Sequence, residues 1–241
     1  LIDTVRLGLK SDADRIAYSV QVRNNKKNPQ YVFNALLNGA LEERGTYIKA
    51  NIYDEANKLG IGVGVRATME DKGIQLSLMD QEAVLGYKRF TVNDGNYVFL
   101  GDDRRVRADV RLRATDGTGI LLTTNNENEE ALQDITLSLN RLNLEKLFSV
   151  LPYMPEVSGT LNGDFHAIQT KESLSISSAV SVTDLVYQQS PMGNLSSEFV
   201  YMPKSDGGHY IDGTLSQNDI QIGQLSGTYN SARGGQLDAT L

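Results

Sequence analysis

The chain has 241 residues but contains no cysteine and no tryptophan, and only five prolines and two histidines. Without cysteine it can form no disulfide, perform no thiol chemistry and offer no thiolate to a metal. The net charge of −7 argues against a nucleic-acid partner, because nucleic-acid-binding proteins normally present a basic surface. No run of 18 apolar residues occurs, so the sequence predicts no membrane-spanning helix.

Hydrophobic residues make up 40% of the chain and charged residues 22%, a balance typical of a folded protein. Such a chain can bury a sizeable core or line a sizeable groove. Leu1 and Leu241 both lie within strand-like patterns. We therefore interpret the sequence as an internal piece of a longer protein.

Apolar and polar residues alternate along most of the chain, which is the period of a β-strand. Clusters such as Asn93-Asp94-Gly95 and Asp116-Gly117 separate the alternating runs and favour hairpin turns. The pattern predicts an all-β fold, a long antiparallel meander with one apolar face and one polar face. The residues expected on the apolar face are Ile61, Val63, Val65, Val106, Val110, Leu112, Val157, Leu161, Phe165, Leu174, Ile176, Val180 and Val182.

One segment breaks the strand period and predicts a short helix over residues 143–151. Asn143 is a suitable N-cap, and Pro152 ends the run. The helix divides the chain into a first groove segment (1–142), a helix with a proline-rich turn (143–155) and a second groove segment (156–241), truncated at its C-terminal end. The apolar face of the helix, which we expect to lie on the sheet as a plug, consists of Leu144, Leu147, Phe148 and Leu151.

Two segments allow more than one interpretation. Residues 31–42 alternate like a strand but contain alanine and leucine, which favour helix. We predict a strand, because the flanking segments are strands. Gly60, Gly62 and Gly64 do not match a phosphate-binding loop. They predict a sheet face without side chains, which allows close approach or strong bending.

The sequence shows no nucleophile, base or metal-ligand motif of a known kind. We therefore predict no catalytic residue, no metal, no cofactor and no enzymatic activity. His166 and His209 are expected on the polar face of their strands, as solvated residues rather than metal ligands. A row of arginines is expected on a solvated face, paired with carboxylates of neighbouring strands; it comprises Arg105, Arg107, Arg111 and Arg113.

A sheet with one apolar face must cover that face. Two such sheets can pack as a sandwich, one sheet can close into a barrel, or an open curled sheet can hold lipid chains. The strand period alone does not choose among the three.

Residues 135–152, followed by residues 157–164, form a strand, a short helix and a strand with the sequence Ser158-Gly-Thr-Leu-Asn-Gly-Asp164. This arrangement resembles the TamB family of the AsmA-like proteins, the translocation and assembly module. The resemblance is to homologues of the Bacteroidetes type. Further stretches that carry it are residues 60–67, 84–92, 96–100, 213–216 and 225–228.

The resemblance implies a periplasmic protein that an N-terminal helix anchors in the inner membrane, with a body folded as a β-taco, a trough with an apolar interior. It also implies an outer-membrane partner of the Omp85 type and a part in carrying phospholipid to the outer membrane and in assembling outer-membrane proteins. The family has no catalytic residues to carry over. Contacts with the membrane and with the partner would lie in parts outside this fragment.

On these grounds we expect an elongated antiparallel curled sheet of roughly 16 strands about 4.8 Å apart, open as a hydrophobic groove that binds phospholipid acyl chains. We expect no nucleic-acid partner. Two alternatives remain. One is a scaffold or chaperone that presents sheet edges to unfolded client strands. The other is a carbohydrate-binding β-sandwich in which exposed tyrosines stack on sugars.

Overall fold

The computed structural model describes residues 2–24, 33–79, 82–127, 130–204, 206–230 and 234–240. These residues form one antiparallel sheet of 18 strands and one short helix, α1 (Leu144–Phe148). The predicted all-β antiparallel fold is therefore confirmed. The strands are β1 (Thr4–Ser11), β2 (Arg15–Asn24), β3 (Phe33–Glu42), β4 (Gly45–Tyr53), β5 (Leu59–Glu70), β6 (Gly73–Leu78), β7 (Glu82–Leu85), β8 (Lys88–Val92), β9 (Tyr97–Gly101), β10 (Val106–Arg113), β11 (Gly119–Thr124), β12 (Gln133–Asn143), β13 (Val157–Gln169), β14 (Leu174–Tyr187), β15 (Ser190–Pro203), β16 (His209–Gln217), β17 (Ile220–Asn230) and β18 (Gly234–Thr240).

The sheet is a meander in which strands close in sequence pair with one another. β6 and β7 both pair with β5, and β8 and β9 both pair with β10, so each of these couples lies end to end as one interrupted strand. The 18 strands therefore occupy 16 positions across the sheet. The part of residues 31–42 that the structure describes is strand β3, as predicted; residues 31 and 32 lie outside the described residues.

Asparagine side chains replace the backbone hydrogen bonds that are lost where β8 gives way to β9. Asn96 Oδ1 accepts a hydrogen bond from the Leu78 amide at 2.7 Å. Asn93 Oδ1 accepts one from the Arg111 amide at 2.8 Å. The interrupted strand thus stays attached to both neighbours, because its asparagine side chains give the neighbouring backbone amides an acceptor.

β-Bulges bend the following strands. Arg141 in β12 has a φ of 54°, and its amide donates to Oδ1 of Asn162 in β13 at 2.9 Å. Asp184 in β14 has a φ of 53°, and its amide donates to Oδ1 of Asn194 in β15 at 3.0 Å. An extra residue of this kind increases local twist and bends the strand, which contributes to the curl of the sheet.

The short segment that follows β12 shows that the sheet is curled, because it reaches back to β5. β5 and β12 lie five positions apart, which is about 24 Å in a flat sheet. The segment from Asn143 to Val150 spans at most about 15 Å, because five of its residues are helical. The Val150 side chain nevertheless lies against Gly60 in β5. Only a strongly curved sheet allows this contact.

The helix is shorter than predicted, since it ends at Phe148 and leaves Leu151 outside. Asn143 is the N-cap, as expected, and its Oδ1 accepts a hydrogen bond from the Lys146 amide at 2.8 Å. The helix divides the chain but not the sheet, because β12 pairs directly with β13.

The buried core is small and lies in the middle of the sheet. It consists of Ala83, Phe90, Val92, Leu112 and Leu142. The whole chain exposes 15393 Å², whereas a globular monomer of its 26.5 kDa mass would expose about 10,700 Å². Much of the apolar surface is therefore not enclosed by the protein.

Candidate functional site

The strand registers place the predicted groove residues on one face of the sheet. Residues opposite each other in an antiparallel pair point to the same side, and so do residues two apart in one strand. In the middle of the sheet, Val92 is opposite Leu112, which is opposite Ile120. Further along, Gly163 is opposite Val180. Following such pairs from β5 to β14 connects Ile61, Val63, Val65, Val106, Val110, Leu112, Val157, Leu161, Phe165, Leu174, Ile176, Val180 and Val182 on a single apolar face.

Most of these groove residues remain accessible. Leu112 is buried, Leu174 is 37% exposed, and the others are partly buried. The face therefore offers apolar side chains to a ligand without any unfolding of the sheet. This accessibility is what distinguishes a groove from a closed core.

The opposite face of the same strands is polar, but it is not uniformly exposed. Ser177 in β14 is exposed, whereas Ser175 and Ser181 are partly buried, like their apolar neighbour Ile176. Apolar and polar side chains therefore lie on opposite faces of the sheet, as expected, but the two faces differ little in solvent accessibility. The reason is that both faces of an open sheet border solvent.

The arginines of β10 lie on this polar face. Arg107 pairs with Asp103 at 2.7 Å, and Arg111 pairs with Asp109 at 2.8 Å. These carboxylates belong to the preceding turn and to β10 itself, and not to neighbouring strands as expected. Ion pairs as exposed as these contribute little stability.

The two histidines lie on opposite faces. Nε2 of His166 is 2.8 Å from Oδ1 of the buried Asp134, on the polar face as predicted. His209 is opposite Pro203 in the register, and it stacks on Tyr201 with ring centroids 4.7 Å apart. The prediction that His209 lies on the polar face is therefore wrong. Its ring packs on a neighbouring aromatic side chain of the apolar face.

Residues 144–155, which we call the strap, cover one end of the central groove. Leu144 and Val150 are buried, and Leu147 packs against the central core. A methyl group at position 60 would lie 2.5 Å from Cγ2 of Val150, so only glycine leaves room there. The close approach predicted for the glycine run is confirmed at this position.

Polar contacts hold the strap at two further points. Nδ2 of Asn24 in β2 donates a hydrogen bond to the Tyr153 hydroxyl at 3.3 Å. The Tyr87 hydroxyl interacts with Asp54 and Ser149. Burial raises the pKa of Tyr87, the hydrogen bond with Asp54 raises it further, and the contact with Ser149 opposes the shift. The phenol therefore stays protonated at neutral pH and can act as a donor.

An ion pair stands beside the covered end. Lys88 Nζ lies 2.6 Å from Oδ2 of Asp116 and 2.8 Å from the Thr118 hydroxyl oxygen. The hydrogen bond from Lys88 holds the pKa of Asp116 well below its usual range, and the Thr118 amide adds to the effect. The pair links the first residue of β8 to the β10–β11 turn.

The predicted plug residues separate into two groups. Leu144 is buried and Leu147 packs against the core of the sheet, whereas Phe148 and Leu151 are partly buried and line a cavity beside the strap. The sequence pattern did not identify Val150, which is more deeply buried than either of the latter two. The only hint in the sequence was Gly60, which belongs to the glycine run where a close approach was predicted.

Among the described residues, no group of three or more histidine and carboxylate side chains is placed to hold a metal ion. In the same part of the chain, no helix is long and apolar enough to cross a bilayer. Comparison of the sequence and fold with family models, with curated proteins and with solved structures finds no match.

Proposed function

We propose that the chain is a non-enzymatic segment of a TamB-like protein, in which the apolar groove binds phospholipid acyl chains. The role would be to support phospholipid transport to the outer membrane and the assembly of outer-membrane proteins. The sequence resemblance suggests a periplasmic location, an inner-membrane anchor and an Omp85-type partner.

The observation that carries the proposal is the accessible apolar face that continues through strands β5 to β14. Acyl chains laid on such a face would leave water, which contributes about 0.8 kcal/mol for each buried CH₂ group. The face consists mainly of aliphatic side chains and glycines, as in Val63, Val180 and Gly163. Such contacts hold a chain without fixing it in one place, which suits transfer along the groove.

A second function, binding of client strands, is supported by the edge strand β1. Leu7 and Leu9 in this strand are each 77% exposed, and Val5 is 55% exposed. An exposed apolar edge strand is a template for pairing with another strand. The carbohydrate-binding sandwich is not proposed, because the described strands form a single sheet with no second sheet packed on it.

The lipid proposal is tested with a fluorescent fatty acid and a pair of variants in adjacent positions of β14. Val180→Asp places a charge on the apolar face, and the matched control Ala179→Asp places the same charge on the exposed polar face. We expect Val180→Asp to lower fatty-acid affinity at least tenfold and Ala179→Asp to leave it unchanged. Equal affinities of the two variants would overturn the proposal.

The client-strand function needs a different measurement. Leu7→Lys adds a charge to the exposed edge and should reduce crosslinking to an unfolded outer-membrane protein, while fatty-acid binding stays unchanged. Undiminished crosslinking would remove β1 from consideration as the client site.

A further inference from the structure

The strap and the adjoining strand ends of β13 and β14 form an open cavity of about 620 Å³. This volume is within the range of small-molecule sites, roughly 300–1,000 Å³. Val157 belongs both to the wall of this cavity and to the apolar face of the sheet, so the cavity adjoins the groove.

One part of the cavity wall is apolar. Phe148 and Leu151 come from the strap, and Val157 and Val186 come from the strands. These four side chains are only partly buried. A hydrocarbon chain in the cavity would remove their remaining surface from water.

The other part of the wall is negatively charged. Glu145 and Glu156 are exposed and are the charged residues among the described lining. Lys146, the neighbour of Glu145 in the helix, lines a different, much smaller cavity beside Leu85 and Leu142. Glu145 and Glu156 therefore give the large cavity a negative charge that the lysine of the helix, which lies outside its lining, does not offset.

We propose that this cavity binds a single-chain amphiphile whose head group ends in an ammonium. The acyl chain lies against Phe148 and Leu151, and the ammonium pairs with Glu145 and Glu156. This site rests on the proposed lipid-binding function of the groove, to which it adds a preference for one head group. A head group that ends in a hydroxyl instead of an ammonium cannot form ion pairs with the two glutamates.

The sequence makes a clean reporter possible, because Phe148→Trp introduces the only tryptophan of the chain. The probes are lysophosphatidylethanolamine and lysophosphatidylglycerol with the same doxyl-labelled acyl chain, which quenches a nearby indole. We expect the ethanolamine lipid to bind about fivefold more tightly, as two exposed ion pairs would give. Equal affinity for both lipids overturns the head-group assignment.

Two further variants separate the cavity from the groove. In the Phe148→Trp background, Glu145→Gln with Glu156→Gln should abolish the fivefold preference and keep binding of the glycerol lipid. The melting temperature should change little, because both glutamates are exposed and a glutamine at position 156 can still accept the hydrogen bond from Nε2 of Gln189. If the preference survives, the glutamates do not form the site.

Binding of the fluorescent fatty acid is measured on the same Phe148→Trp protein. Fatty-acid binding without quenching by either lysolipid overturns the cavity site and leaves the groove proposal standing. Loss of both signals overturns both. Replacing Leu151 by serine should lower the affinity for both lysolipids equally. An unchanged affinity would contradict the position proposed for the acyl chain.

Discussion

The central strands β7–β12 and the C-terminal strands β14–β18 share the same alternation of apolar and polar residues, but they are packed differently. In the central part, Phe90 is 1% exposed and Val92 is 5% exposed. Among the described residues, no apolar side chain after Val150 is buried. One sequence period thus leads to a filled core in one region and to an open face in the other.

Side-chain size explains part of the difference. In the centre, large residues such as Phe90, Leu112 and Leu142 meet on the apolar face. In the C-terminal strands, the same face carries small residues at many positions, among them Ser178, Ser197, Gly213 and Gly223. Small side chains cannot fill the space between curved strands, so the trough stays open there.

The strap explains the rest. It covers the end of the central groove, where Leu147 joins the core and Val150 lies against Gly60. For the C-terminal strands, the described residues include no such covering segment. The comparison teaches that alternation predicts which face is apolar, whereas size and cover decide whether that face is buried.

The largest expected effect comes from shortening one phenylalanine in each region. Phe90→Ala should lower the free energy of unfolding by about 3–5 kcal/mol, because it empties a buried site. Phe199→Ala, on the half-buried face of β15, should cost about 1 kcal/mol, because little packing is lost. Chemical denaturation measures both. Similar losses in the two variants would contradict the distinction between a filled and an open region.

A smaller effect is expected at the contact between the strap and β5. Gly60→Ala should cost about 1–3 kcal/mol by crowding Val150. The double variant with Val150→Ala should lose about 1 kcal/mol less stability than the sum of the two single variants, because the new methyl group occupies the vacated space. The matched control is Gly62→Ala, whose added methyl would meet Leu59 and Asn51 instead. Coupling of the control to Val150→Ala would contradict the proposed contact.

The smallest effect concerns the ion pair beside the strap. The pKa of Asp116 is lowered in the folded protein, so its contribution to stability is present above the unfolded carboxyl pKa of about 4. That contribution is lost as the pH falls toward the lower folded value. Asp116→Asn should therefore be slightly less stable than the natural chain at pH 7, with a difference that shrinks on acidification. Urea denaturation of both proteins at pH 7 and at a pH below the unfolded carboxyl pKa of about 4 tests this. A stability difference that grows in acid would refute it.

The sequence allowed the sheet to be predicted well, because strand period and turn residues are local signals. The strand β3, the N-cap Asn143 and the common face of Val63 and Val180 all follow from such signals. The end of the helix could not be predicted in this way. It ends at Phe148 because the chain turns there to bring Val150 onto Gly60, a contact between residues far apart in sequence.

The position of His209 was beyond local prediction for a related reason. The face of the sheet on which His209 lies depends on the register between β15 and β16. This register places His209 opposite Pro203 and beside Tyr201. The cavity lined by Phe148 and Leu151 was equally hidden, because it forms between the strap and strand ends that meet only in the folded chain.

The sequence by itself determined that this protein is an antiparallel sheet with one apolar face and a short helical interruption, because alternation, turn residues and a capping residue act over a few positions. The tertiary structure alone decided which part of that face is buried. Bulges at Arg141 and Asp184 and the contact of Val150 with Gly60 accompany the curl of the sheet. Curvature and cover are long-range properties, and they depend on which distant residues come into contact.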